Sequence, residues 1–315
     1  MAGNRPDVGD VHVNALLTNI SVAYRNEVYV ADKVFPIVGV GKQSDIIPSY
    51  NKSDWLRDEM DLRAPGAVAR EAGWQVTTTD TYFCHGYALR KLIPDEVRAN
   101  ADAPFDIDRD AVTFLTDKAM LHRERQFATV VNASGSWTST GTIGAKWSDF
   151  ANSDPIDDII TTKRTIHQLI GREPNVFVIG QIVRDRLVRH PDFVDLIKYI
   201  QTGIVTEQIM ARALGLTGVY VVLGIYESAV EGASTSVVPV WDDDAVLMYV
   251  PSAPSLMAPA AGYTFVWKSL TGGGPQYMRR YRLEERTTDV IEVRSYFAVK
   301  ATAADAGAHW SDCVD

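Results

Sequence analysis

Pro174-Asn175-Val176-Phe177-Val178-Ile179-Gly180, followed by a helical stretch through Val183, Leu187 and Val188 and then His190-Pro191-Asp192-Phe193, is the stretch on which the fold turns. The run from Val176 to Ile179 has no alternating polar position, so it reads as a short strand buried on both faces. Upstream, Asp154 caps a helix with Pro155 at its first position. Ile156, Ile159, Ile160, Ile166, Leu169 and Ile170 form its apolar stripe, and Gly171 ends it. Downstream, Thr206 caps another helix, carrying Ile209, Met210, Ala213 and Leu214 and closed by Gly215. Val219–Leu223 and Ala245–Val250 read as strands on either side of a Glu231–Ser236 loop. Tyr263–Trp267, a Gly272-Gly273-Gly274-Pro275 turn and an alternating run over Val290–Val299 complete the chain. Helices and strands mix without a regular β-α alternation, which gives an α+β class rather than a doubly wound nucleotide fold.

The first half is less self-sufficient. Residues 1–41 hold short apolar pieces, Ala15-Leu16-Leu17 and Val34-Phe35-Pro36-Ile37-Val38, without a sustained period. They are expected to form an arm lying on something else, with Val28-Tyr29-Val30 as a short strand. Residues 42–100 read as a long hairpin with a charged tip: Ser44–Arg63 is charge-rich with isolated Trp55, Leu56 and Met60, and Trp74–Leu89 is dense in β-branched and aromatic residues. Two such strands are barely stable alone, so a neighbouring chain is expected to cover them. Pro104 then opens a long helix running to about Val131, with Asp106, Asp108 and Asp110 at its positive end and Ile107, Ala111, Phe114, Lys118, Leu121, Arg125 and Ala128 at helical spacing. Ser134–Gly144 is loop or hairpin.

At 315 residues and 46% hydrophobic content, the chain can build one large domain or two smaller ones. Its formal charge of −9, with no basic run, argues against tight sequence-independent DNA binding. The start lacks an export signal and no apolar run spans a bilayer, which points to a soluble cytoplasmic protein. Cys84 and Cys313 are expected to be free thiols, the latter in a mobile C-terminal tail. Motifs for chemistry are missing. Gly39-Val40-Gly41-Lys42 has Pro36 and Gln43 where a phosphate loop needs Gly and Ser or Thr. The six histidines show no metal-binding spacing, and Asp242-Asp243-Asp244 reads as an acidic turn before a strand. No catalytic residue, cofactor or metal is expected.

The pieces of the second half, in order, resemble a known family. Pro174–Gly180, Leu187 to Phe193, Ile197-Lys198-Tyr199 and Gly203-Ile204-Val205-Thr206-Glu207 are followed by Leu214-Gly215-Leu216, Val219–Tyr226 and Val240-Trp241-Asp242. With Tyr249-Val250-Pro251 and Gly262–Phe265, they make the chain similar to tailed-phage major capsid proteins with the Hong Kong 97-type fold. The resemblance implies an N-terminal arm (1–41), an extended hairpin loop (42–100) and a peripheral domain with a spine helix (101–153). A mainly axial domain (154–261) follows, then returning strands of both domains plus a C-terminal tail (262–315). It also implies hexamers and pentamers of the chain tiling a closed head around double-stranded DNA. The implied partners are other copies, a portal, a decoration protein and a separate scaffolding protein or none, with weak contact to packaged DNA and no membrane. Some relatives join subunits through a Lys–Asn bond, for which Lys52 is a candidate by position alone. An encapsulin-like compartment sharing the fold is the alternative, and an α+β cytoplasmic enzyme is the alternative of another class.

The candidate functional residues are therefore contact residues. Trp55, Leu56 and Arg57 sit at the hairpin tip, where aromatic and Arg side chains anchor interfaces, against the plainer reading that Trp55 packs on its own hairpin. Val34, Phe35 and Ile37 in the arm are candidates for docking on a neighbour, with an ordinary edge strand as the bland alternative. Gly272, Gly273, Gly274 and Pro275 are candidates for a loop meeting its copies at threefold positions, with a plain exposed turn as the equal alternative.

Overall fold

A computed structural model of the chain describes residues 26, 29–101, 106–141, 143–197, 205–255, 258–272 and 274–315. Helix α1 (Ala31–Val34) leads into strand β1 (Ile37–Val40). Strand β2 (Ser44–Tyr50), helix α2 (Lys52–Leu56) and strand β3 (Val76–Phe83) then make a hairpin with a long tip. Strand β4 (His85–Pro94) and helix α3 (Asp95–Ala99) bring the chain to α4 (Ile107–Val131), the 25-residue helix. The middle runs β5 (Ser139–Thr140), α5 (Pro155–Ile170), β6 (Val176–Gly180), α6 (Gln181–Leu187), α7 (Pro191–Ile197), α8 (Glu207–Ala213) and β7 (Gly218–Val222). The last third holds β8 (Ile225–Glu227), β9 (Val237–Pro239), β10 (Ala245–Met248), β11 (Gly262–Trp267), α9 (Lys268–Thr271), β12 (Tyr277–Leu283), β13 (Thr288–Ala301) and β14 (Gly307–Trp310).

Two five-stranded sheets carry the molecule. In the first, β13 is the axis: its Thr288–Arg294 half pairs with β12, its Phe297–Ala301 part pairs with β11, and β4 runs along Thr288–Phe297. Because β12 and β4 share the same residues of β13, they lie on its opposite edges. β1 adds to β11 in parallel. The second sheet has the order β5-β14-β10-β6-β7. Phe177, Ile179, Leu247 and Trp310 on one face meet Ile159, Val183, Phe193 and Met210 from α5 to α8. The opposite face, through Val178, Val246 and Met248, packs on Phe127, Val131 and Trp241.

Local chemistry sets the helix ends where the sequence places them. The Asp154 side chain accepts from Asp157 N–H and Gly171 closes α5 at φ 69°. Thr206 accepts from Ile209 N–H at the start of α8, and Gly215 follows it at φ 63°. Pro104 lies outside the described residues; Asp106 is the N-cap of α4, its side chain accepting from Arg109 N–H.

Helix α4 differs from the expected stripe, and the reason is physical. Its N-terminal half places Ala111 and Leu115 on Ile93, Ile291 and Val293 of the first sheet. Its C-terminal half turns Phe127 and Val131 toward the second. One helix serving two cores has no single buried face, so Phe114 and Arg125 are exposed, and Phe114 lies under the ammonium groups of Lys91 and Lys118. Between the two cores, Arg123 and Glu124 are buried.

Three expectations need correction. The chain's end is no mobile tail: Cys313 and Val314 are buried, and Cys313 O accepts from Trp147 N–H. The strand expected over Trp74–Leu89 breaks at Cys84, where β3 of the hairpin gives way to β4 of the first sheet. In the arm, Tyr29 and Val30 lead into a helix rather than a strand, while Val28 is outside the described residues.

Candidate functional site

The hairpin is built to stand away from the body. β2 and β3 pair from Ser44/Phe83 to Tyr50/Val76, with a register shift at Pro48, which has no N–H to give the ladder. At its base, Tyr82 stacks on Phe265 with centroids 4.8 Å apart, and Gln43 and Cys84 exchange backbone and side-chain hydrogen bonds. Burial there pushes the Cys84 thiol up to about 11, so it stays protonated and packs as a small apolar group. Lys300 donates to Thr81 O at 2.6 Å. Farther out, Lys52 bonds the Asp305 carboxylate at 2.8 Å. Burial works against that carboxylate, but hydrogen bonds from Lys52 and Thr138 hold it below its ordinary value.

The tip has polar ties and almost no core. Asn51 caps α2 through Ser53 N–H, Asp54 accepts from Gln75 N–H at 2.9 Å, and Arg70 pairs with Asp61 at 2.8 Å. Trp55 meets Tyr50 edge-on at 5.7 Å yet stays 55% exposed, so it both touches its own hairpin and offers a face outward. Leu56 is 61% exposed, and among the described residues Arg57 pairs with Glu59 alone, at 3.2 Å. Met60 at 93% and Val68 at 91% have essentially no protein around them. Leu62 and Trp74 are exposed too. Leu62 carries the same signal as Met60, an isolated apolar residue inside the charged stretch before Pro65, whereas Val68, past that proline, carries no such signal.

The arm residues lie elsewhere and do something different. Val34 and Phe35 are fully buried in their own chain, which corrects the expectation that they dock on a neighbour: neither has surface left to offer. The Phe35 ring sits edge-on to Phe127 at 5.1 Å, and a Cβ at Gly262 would run into it, so that position takes glycine. Polar anchors fix this segment. The Glu124 carboxylate accepts from Val30 N–H and from Ala31 N–H at 2.8 Å, Arg123 holds Asp32, and the Tyr29 hydroxyl donates to Asp117 at 2.8 Å. Burial raises Glu124 above the ordinary carboxylate range against the lowering effect of those N–H donors. Ile37, half-buried on the outer strand β1, keeps part of its side chain free. Gly272 is the left-handed C-cap of α9 at φ 68°; Gly274 and Pro275 are half-buried, and Gly273 is outside the described residues. The nine described candidates thus fall in three separate places: the hairpin tip, the arm with strand β1, and the turn after α9.

One cluster has the spacing of nucleophilic chemistry. His190 Nε2 is 3.0 Å from Ser153 Oγ, and His190 Nδ1 is 3.2 Å from Asp192. The Ser153 hydroxyl, however, donates to Asp149 O at 2.7 Å, and Asp192 N–H points at Nδ1. The trio braces the turn into α7, whose Val194 N–H bonds His190 O. Among the described residues no group of three or more His, Cys, Asp or Glu is arranged to hold a metal, and no helix is long and apolar enough to cross a membrane.

A sheet carrying a long two-core helix, a second sheet under four helices, and a hairpin reaching beyond the chain's own core are the Hong Kong 97-type fold. The family model for phage major capsid protein E matches residues 133–291, and the chain belongs to that family. It is 25% identical over 307 residues to the major capsid protein of Burkholderia phage BcepMu, covering 94% of each chain. A phage-related protein from Bordetella bronchiseptica RB50 superposes with TM-score 0.70 at 21% identity, over 92% of this chain and 94% of that one. The capsid protein of cyanophage P-SCSP1u gives TM-score 0.58 at 11% identity, over 96% and 93%.

Proposed function

We propose that this major capsid protein builds the closed icosahedral head of a tailed phage from hexamers and pentamers of itself, around double-stranded DNA. The observation that carries the proposal is the hairpin, where Trp55, Leu56, Met60, Leu62, Val68 and Trp74 are all exposed on one excursion of the chain. Burying side chains such as Met60, Leu62 and Val68 is worth ~1.5–3 kcal/mol each. A monomer forgoes that, and a neighbouring copy supplies it. Residues 101–153 with the returning strands would form the peripheral unit and 154–261 mainly the axial one. Assembly in the host cytoplasm, a separate scaffolding protein, a portal and a decoration protein belong to the same reading.

The charge of −9 supports weak contact with the genome, because like charges let DNA be packed and released. Electron microscopy of the purified chain tests the reading: closed shells are expected, and a monodisperse small oligomer that never closes would overturn it. Particles holding a cargo protein instead of nucleic acid would overturn the genome part. DNA retained by empty shells in a salt-dependent way would overturn the weak contact.

A further inference from the structure

The helical layer over the second sheet is electrically polarised along α5. From its second turn onward, Ile160, Lys163, Arg164 and His167 of that helix share a cleft of about 480 Å³ with Glu173 and with Arg212 and Leu214 from the end of α8. Lys163 is committed inside this cleft, donating to Leu214 O and Gly215 O at 3.2 Å and pairing with Glu173 at 3.0 Å. Among the described residues Arg164 and Arg212 make no ion pair, and Ile160 is exposed beside them. At the N-terminal end of α5, tied to α7 by the Ser153–His190 contact, Asp157, Asp192 and Asp195 lie near exposed Phe150, Val194 and Leu196. The two patches follow closely along α5: Asp157 precedes Arg164 by seven residues, about 10 Å at ~1.5 Å per residue.

Acidic N-termini and basic C-termini are also what helix dipoles favour. Dipoles, though, call for neither an open cleft between two helices nor exposed apolar side chains in both patches. We propose that the acidic, apolar end of this layer in one copy docks into the basic α5–α8 cleft of the next copy. A contact between two different patches of one chain is head-to-tail, and repeating it makes a ring where the rotation from copy to copy closes, as in a hexamer or pentamer. Charge sets its register while Ile160 on one side and Val194 and Leu196 on the other provide burial. The inference rests on the shell reading and names the contact within a ring of subunits.

The test is charge reversal with repair. R164E/R212E should stay folded by circular dichroism and raise the concentration needed for shell formation at least about tenfold, since like charges then face each other. Adding D157R/D195R to the same chain should restore shells. D157R/D195R alone should fail like R164E/R212E. If a reversed variant does not fold, R164Q/R212Q serves instead, with an assembly defect expected at low salt that shrinks at high salt. Wild-type shells together with unimpaired shells from R164E/R212E, or from R164Q/R212Q at low salt, would overturn this contact alone. Wild-type chain that forms no shells would remove the shell reading and this contact with it.

Discussion

Replacing Phe35 with alanine separates an arm that folds into its own subunit from one that docks on another. The ring has no exposed surface, lies edge-on to Phe127 at 5.1 Å and covers Gly262. Phe127 in turn stacks on Trp241 at 5.9 Å, so the cavity left by the ring opens into the packing between α4 and the second sheet. Large-to-small changes of this kind cost about 3–5 kcal/mol, out of a total stability on the order of 5–15 kcal/mol. With a guanidinium slope of roughly 5 kcal/mol per M, the unfolding midpoint of F35A should fall by about 0.6–1 M, read by the fluorescence of the buried tryptophans. Phe35→Leu should fall between wild type and F35A. An unchanged midpoint in F35A accompanied by lost assembly would refute the reasoning, because the ring would then be working on a neighbour.

Trp55→Ser with Leu56→Ser should do the opposite, leaving the unfolding midpoint within ~0.5 kcal/mol of wild type while raising the critical concentration for assembly more than about tenfold in light scattering. Glu124 titrates above its ordinary 4.5 because it is buried, so the stability tied to it is complete below that value and is lost as pH rises through the folded-state pKa. Wild type should therefore gain stability over Glu124→Gln as pH is lowered toward 4.5 in denaturant melts, and parallel pH profiles would count against this. Asp289 behaves with the reverse sign: hydrogen bonds from Arg280 and Arg98 hold it at about 2, so its contribution is full above 3.8 and disappears as pH falls toward 2. Asp289→Asn should flatten that acid limb, and an unchanged limb would show that the Arg pair does not act through this carboxylate.

The second sheet and its helices are legible in the sequence because each element there obeys a local rule. Asp154, Pro155 and Gly171 bracket α5, Thr206 and Gly215 bracket α8, and Val176–Gly180 is buried at every position. Where one stretch serves two masters, the pattern blurs. Helix α4 changes cores midway, so Phe114 and Arg125, on the expected stripe, are exposed while Arg123 and Glu124 are buried. Phe35 sits in a segment with no period, since its burial comes from Phe127, 92 positions away, and from Gly262 rather than from neighbours in sequence. The hairpin tip was recognisable as poor in apolar residues, but which of them remain exposed depends on the excursion between α2 and β3, for which no periodicity speaks.

The buried charges of α4 explain why arm and hairpin, both weak in sequence, have opposite fates. Helix α1 is only four residues long, and the amides of Val30 and Ala31 at its start need acceptors. Glu124 supplies them and Arg123 clamps Asp32, which fixes where the arm enters the molecule before Phe35 fills the core beside it. A buried carboxylate is a poor source of net stability, and its advantage here is one defined arm position in every copy. Among the described residues the tip of the hairpin has no such clamp: its outermost tie to the body is the half-exposed Lys52–Asp305 pair, a contact worth ~0–1 kcal/mol. A subunit whose body is fixed by buried charge and whose tip is held by one weak surface bridge keeps its apolar side chains available. Shell closure needs that division, because a tip folded onto its own body would have satisfied the same surface before any neighbour arrived.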